Sequence, residues 1–105
     1  MKKFNLMQIV PSLNSGGVEQ GTLDLANYIA DYKMKNLIVS NGGRMVSYLN
    51  KSYVNHYSLP VHSKNFFKMP SIAQKIDSII KENKVNILHV RSRAPAWLMT
   101  HINKN

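Results

Sequence analysis

A chain of 105 residues, 44% hydrophobic and 18% charged, is long enough for one small domain with its own core and too apolar for a disordered tail. It has no cysteine, which excludes disulfides, thiolate nucleophiles and cysteine-held zinc. The formal net charge of +9 comes mostly from lysine, eleven against three arginines, spread from Lys2 to Lys104 with no block of five like charges. That excess fits either a solvated lysine-rich surface or an anionic partner, a nucleic acid or a membrane surface. Aromatic residues do not alternate with the basic ones as a stacking platform for nucleic acid requires, so nucleic acid is not expected as a partner.

No apolar run approaches the roughly 20 residues that cross a bilayer. Met1-Lys2-Lys3-Phe4 starts like a signal peptide, yet the run breaks at Gln8 and Pro11 and no small-residue cleavage site follows. It reads instead as the first strand of a cytoplasmic protein. Asn5 to Val10 is that strand, closed by Pro11. Val18 to Tyr32 follows with Val18, Leu25, Ala26, Ile29 and Ala30 on one helical face. Asn36 to Ser40 is a second strand, ended by Asn41-Gly42-Gly43, and Arg44 to Lys51 has room for two helical turns. Asn55 to Leu59 reads as a third strand, stopped by Pro60. Ser71-Ile72-Ala73-Gln74 fits a capping box, with Ile72, Ile76, Ile79 and Ile80 along one stripe behind it. Asn86 to Val90 makes a fourth strand, and Pro95 suits the first turn of a last helix through Trp97, Leu98 and Ile102.

Strands alternating with helices through short loops predict an α/β fold, a Rossmann-like parallel sheet with helices on both faces and about four strands in order 3-2-1-4. Such a sheet binds ligands beyond the carboxyl ends of its strands, where the strand order reverses. The first loop there is Pro11 to Gly17. It is not a dinucleotide fingerprint, because the third position counted from Gly16 is Val18. It is not a P-loop either: Gly16 and Gly21 have the correct separation, but Thr22 and Leu23 stand where lysine and a hydroxyl are needed. What remains is a Gly16-Gly17 bend that turns sharply, lets a ligand approach without a Cβ in its way, and leads into a helix N-terminus suited to phosphate. Gly21 inside the helix costs about 1 kcal/mol relative to alanine, and close packing of helix on strand would offset it.

Four stretches together, VPSLNSGGVEQGTLDLANYIADY, LIVSNGGRMVSYL, HYSLPVHSKN and VNILHVRSRAPAWL, resemble the N-terminal domain of family 4 glycosyltransferases of the two-Rossmann-domain (GT-B) type, in the bacterial subgroup linked to lipopolysaccharide and other envelope glycans. The resemblance runs from about residue 6 to 102. It implies transfer of a sugar from a nucleotide-sugar to an envelope glycan or lipid-linked acceptor, without a cofactor or bound metal. Residues 1–105 are then part of the acceptor-side domain, the donor-binding domain is not among them, and no activity is expected from them alone. By the same resemblance Gly16 and Gly17 face the donor's diphosphate. The segment after the fourth strand, Arg91, Ser92 and Arg93, joins them; its arginines suit bidentate binding of phosphate or a carboxylated sugar. Arg91 stands where many relatives carry a histidine, and His89 reads as a strand-end residue rather than a catalytic one. Asn41, Gly43 and Arg44, and His62 and Lys64, also fall at carboxyl ends of strands and are candidates for an acceptor groove.

Partners expected on this reading are the nucleotide-sugar and acceptor, a chain carrying the donor domain, self-association through an open edge of the fourth strand, and the inner face of the cell membrane. Two other readings fit the residues: a stand-alone binding module for a phosphorylated or other anionic small ligand, and a basic membrane-peripheral protein with no ligand chemistry.

Overall fold

A computed structural model of the chain describes residues 4–61 and 69–90. The elements are β1 (Leu6–Ile9), α1 (Gly17–Asp31), β2 (Asn36–Ser40), a 3₁₀ helix (Arg44–Tyr48), β3 (Val54–Ser58), α2 (Met69–Asn83) and β4 (Ile87–Val90). All pairings are parallel and the strand order is β3-β2-β1-β4, as the alternation of elements predicts.

Successive side chains of a strand point to opposite faces, so each central strand feeds two cores. Met7, Ile9, Leu37 and Val39 meet Ile72, Ile76 and Ile79 of α2, with Leu88 and Val90 of β4 packed against them. Val10 and Ile38 meet Leu23, Ala26 and Ala30 of α1 on the other face, closed by Met45, Leu49 and Val54. β1 and β2 are buried along their whole length, as strands covered on both faces should be.

Three polar residues, Gln8, Asn36 and Ser40, are buried within this apolar sheet, and the first two are spent on α1. Gln8 Nε2 donates to the carbonyl of Thr22 at 3.1 Å, and Asn36 Nδ2 donates to the carbonyl of Ala26 at 3.1 Å. These bonds satisfy amide N–H donors that would otherwise be costly to bury and tie the helix to the sheet, while Asn36 Oδ1 is buried without a partner.

The observed elements depart from the sequence reading in β1, β3, β4, α1, the 3₁₀ segment and α2. β1, β3 and β4 differ from their expected bounds by about a residue. On α1, Val18 is exposed and Leu25 half-buried, while Thr22 and Leu23 are buried, because the helix turns a different face to the sheet than the apolar spacing suggests. Arg44–Tyr48 is a single 3₁₀ segment rather than two α turns, since Leu49 already has extended backbone. α2 is helical from Met69, which puts Ser71 and Gln74 inside the helix; the capping-box match is coincidental. The expected helix from Pro95 lies outside the described residues.

Candidate functional site

Parallel strands bring their carboxyl ends to one rim. The loops after β1, β2 and β3 meet there, and β4 ends at Val90 paired with Ile9, so it delivers the chain to the same rim beside the loop after β1. From β1 the chain steps outward to β2 and β3, then returns past them to β4 on the far side. The reversal therefore lies between β1 and β4, where open α/β sheets bind ligands.

The loop after β1 is pinned rather than floppy. Leu13 donates its N–H to the carbonyl of Gly42 at 2.9 Å, Met45 donates to the carbonyl of Leu13 at 2.8 Å, and Asn41 donates to the carbonyl of Pro11 at 3.0 Å. Arg44 adds Nε to the carbonyl of Asn14 at 3.1 Å. The loop after β2 is thus a splint for the loop after β1. Gly43 makes this closeness possible: at φ 148, a Cβ there would lie 2.5 Å from the Leu13 carbonyl oxygen, a backbone atom with nowhere to move. Of the proposed acceptor-groove residues, Asn41, Gly43 and Arg44 accordingly sit on this rim, with Gly43 and Arg44 engaged in loop-to-loop packing.

The glycine bend opens α1. Gly16 has φ 129 and ψ 170, a conformation other residues rarely adopt, and supplies no side-chain cap to the first turn. Gly17 is the first helical residue, and a Cβ placed there would meet nothing within 4 Å. A fifteen-residue helix thus begins at an open, uncapped, electropositive end. Glu19 is the group that answers it. Its Oε1 lies 2.9 Å from where a Gly16 Cβ would be, so its carboxylate leans over the bend from the first turn. A bound anion would have to share the helix end with that charge or displace it.

A polar relay runs behind the second loop. Ser40 Oγ accepts the Gly42 N–H at 2.9 Å and is 2.6 Å from His56 Nε2 on β3. While accepting from Gly42, the hydroxyl still has its own proton to give to a neutral imidazole, and burial holds the His56 pKa below the usual histidine value, in keeping with that neutral form. Sequence reading did not single out His56, Ser40, Asn14 or Glu19. The available signal was alternation: Ser40 and His56 both fall on the α1 face of paired strands, where apolar residues are the rule.

A groove of about 510 Å³ runs along the outer edge of β3, lined by Val46, Leu49, Lys51 and Val54 to Tyr57. It sits at the opposite sheet edge from β4 and is separate from the β1–β4 crevice. His89 is in β4, exposed, on the same sheet face as Gln8. His62, Lys64, Arg91, Ser92 and Arg93 lie outside the described residues. Among the described residues no group of three or more His, Asp or Glu side chains is placed to hold a metal ion, and no helix is long and apolar enough to cross a membrane.

No protein-family model matches this chain, and no curated protein matches it. A solved structure does. The crystal structure of a glycosyltransferase from Rickettsia africae ESF-5 is 40% identical in sequence and similar in fold at a TM-score of 0.83, over 99% of this chain. The chain spans 27% of that protein's length. At that identity the likeness extends to sequence as well as architecture, and it joins nearly all of this chain to about a quarter of a glycosyltransferase.

Proposed function

We propose that this chain is a segment of a glycosyltransferase of the GT-B type, family 4, and forms part of its acceptor-side wall. The observation that carries this is the 40% identity to the Rickettsia africae glycosyltransferase across 99% of the chain. The rim chemistry is compatible. In sugar transfer from a nucleotide-sugar, the bond from the anomeric carbon to the diphosphate breaks as the acceptor oxygen bonds to that carbon, and negative charge builds on the departing diphosphate. An open helix N-terminus behind a glycine bend stabilises such charge through N–H groups and the helix dipole. Arg91, Ser92 and Arg93 are assigned to the same anion, His62 and Lys64 with Asn41 to the acceptor. An envelope glycan or lipid-linked acceptor, and work at the cytoplasmic side of the membrane, complete the reading.

Residues 1–105 supply one wall of the cleft, and positioning and exclusion of water need both walls. No turnover is expected from these residues alone with sugar nucleotides; turnover would overturn their assignment to one wall. The diphosphate site has a direct test in titration with inorganic phosphate and uridine diphosphate, followed by amide shifts. Gly16, Gly17 and Val18 should move first, Gly17→Val should weaken binding, and Glu19→Gln should tighten it by removing the competing carboxylate. Saturable shifts confined to other parts of the chain would refute the site. The same titration bears on the alternative, a stand-alone binder of phosphorylated ligands, which the open Gly17 position favours. That alternative predicts tight binding by residues 1–105 without further protein, whereas one wall of a cleft predicts weak binding.

A further inference from the structure

The face of α1 that does not touch the sheet carries an unusual load. Tyr28 and Tyr32, one turn apart, are 60% and 63% exposed. Their rings pack edge to face at a centroid distance of 5.2 Å and their hydroxyls are 3.2 Å apart. The pair is therefore a preformed aromatic ledge rather than two loose side chains. Asn27 brings a third tyrosine to it: its Nδ2 donates to the Tyr48 carbonyl at 3.0 Å and its Oδ1 accepts the Asn50 N–H at 2.9 Å. The segment from Tyr48, itself 64% exposed, to Lys51 is thereby held alongside the α1 turn that carries Tyr28.

Cations surround the ledge. α1 ends in a tight turn with Lys33 at φ 59, and the turn presents Lys33, Met34 and Lys35 to solvent directly after Tyr32. Lys51 is exposed at the end of the Tyr48 segment and lines the β3-edge groove, which also has apolar walls from Val46, Leu49 and Val54. Asp31 is the acidic residue of this last turn and offsets one of the three lysines. The hydrogen bond between the two hydroxyls, then desolvation and the nearby Asp31 carboxylate, hold the Tyr32 phenol above its ordinary pKa.

Rings with an apolar body and a polar tip favour the headgroup level of a bilayer, and lysines beside them are drawn to anionic lipid. From this juxtaposition of three exposed tyrosines and three exposed lysines we infer that the α1–Tyr48 face docks on an anionic phospholipid bilayer. The surface rests on neither the glycine bend nor the transferase reading. It lies toward the amino ends of the strands, about 22 Å from Gly17 along α1 at 1.5 Å per residue.

The experiment is co-sedimentation of the 105-residue chain with vesicles of phosphatidylcholine, with and without phosphatidylglycerol, at low and high salt. Anionic vesicles should bind it and neutral ones should not. Lys33→Gln, Lys35→Gln and Lys51→Gln combined should weaken binding on the order of a hundredfold, at roughly fivefold per lysine. Tyr28→Ser, Tyr32→Ser and Tyr48→Ser combined should remove the part of binding that survives high salt. A control removing the same charge from α2 and its end, Lys75→Gln, Lys81→Gln and Lys84→Gln, should cost much less, and circular dichroism should show every variant folded. The inference is overturned if anionic vesicles do not bind, if the α2 control loses as much as the ledge lysines, or if the tyrosine variant binds vesicles like the parent. It is equally overturned if the tyrosine variant instead changes self-association without vesicles, which would mark a protein interface.

Discussion

Gly43 and Gly17 differ in their surroundings: a side chain at Gly43 would strike the Leu13 backbone, whereas one at Gly17 would meet open space. Gly43→Ala forces a Cβ against the Leu13 backbone at a φ that side chains avoid, and should cost about 2–3 kcal/mol in urea unfolding. Gly17→Ala meets open space at a helical position and should leave stability within about 0.5 kcal/mol. The dipeptides look alike in sequence, Gly16-Gly17 and Gly42-Gly43, and only the packing of one loop on the other tells their tasks apart. His56 makes the second residue-scale prediction. Burial lowers its folded pKa below the unfolded value of 6.5, so below that pH the unfolded chain takes up a proton the folded chain resists. Stability should therefore fall as pH drops through the unfolded value of 6.5 toward the lower folded one, and His56→Gln should flatten the part of the slope that this residue contributes. An equal slope in both proteins would refute it. Alternation along β3 is the one local signal of His56; its half-burial beside Val46 and Leu49 is set by the fold.

At the scale of elements, α2 shows both what periodicity reveals and where it misleads. Ile72, Ile76 and Ile79 form the stripe that the spacing predicts, and all three are buried against β1 and β2. Ile76 is fully buried, so Ile76→Ala should cost about 2–5 kcal/mol, read as a lowered urea midpoint with an unchanged slope. The start of the same helix was misread, because a Ser-x-x-Gln spacing is common and helix ends are decided by local competition among weak signals. α1 repeats the lesson on a face rather than an end. Its apolar residues allow several stripes, and the buried one includes Thr22, whose hydroxyl donates to the Val18 carbonyl at 2.8 Å and so brings no unpaired polar group into the core.

For the whole molecule, the strand order sets a gradient of protection. β1 and β2 are paired on both sides and covered on both faces, whereas among the described residues β3 and β4 each pair on one side alone. Hydrogen exchange should be slowest at Leu6–Ile9 and Asn36–Ser40 and faster along Ile87–Val90; the reverse order would contradict the sheet topology. The half-buried apolar side chains of β4, Leu88 and Val90, with Ile87 exposed, are where a further strand or a second chain would add. Sedimentation across a range of concentrations checks the second-chain form of that proposal, and a monomer throughout would sink it.

The alternation of elements, their approximate bounds, the parallel order and the glycine bend were all legible in the sequence, because each depends on residues near one another in the chain: hydrophobic period, turn formers, loop length. The splint of Gly43 and Arg44 on the first loop, the Ser40–His56 relay, the carboxylate of Glu19 over the bend and the tyrosine ledge were decided by tertiary structure. Each joins groups whose distance is set by how strands and helices stack, and local spacing carries no record of that distance.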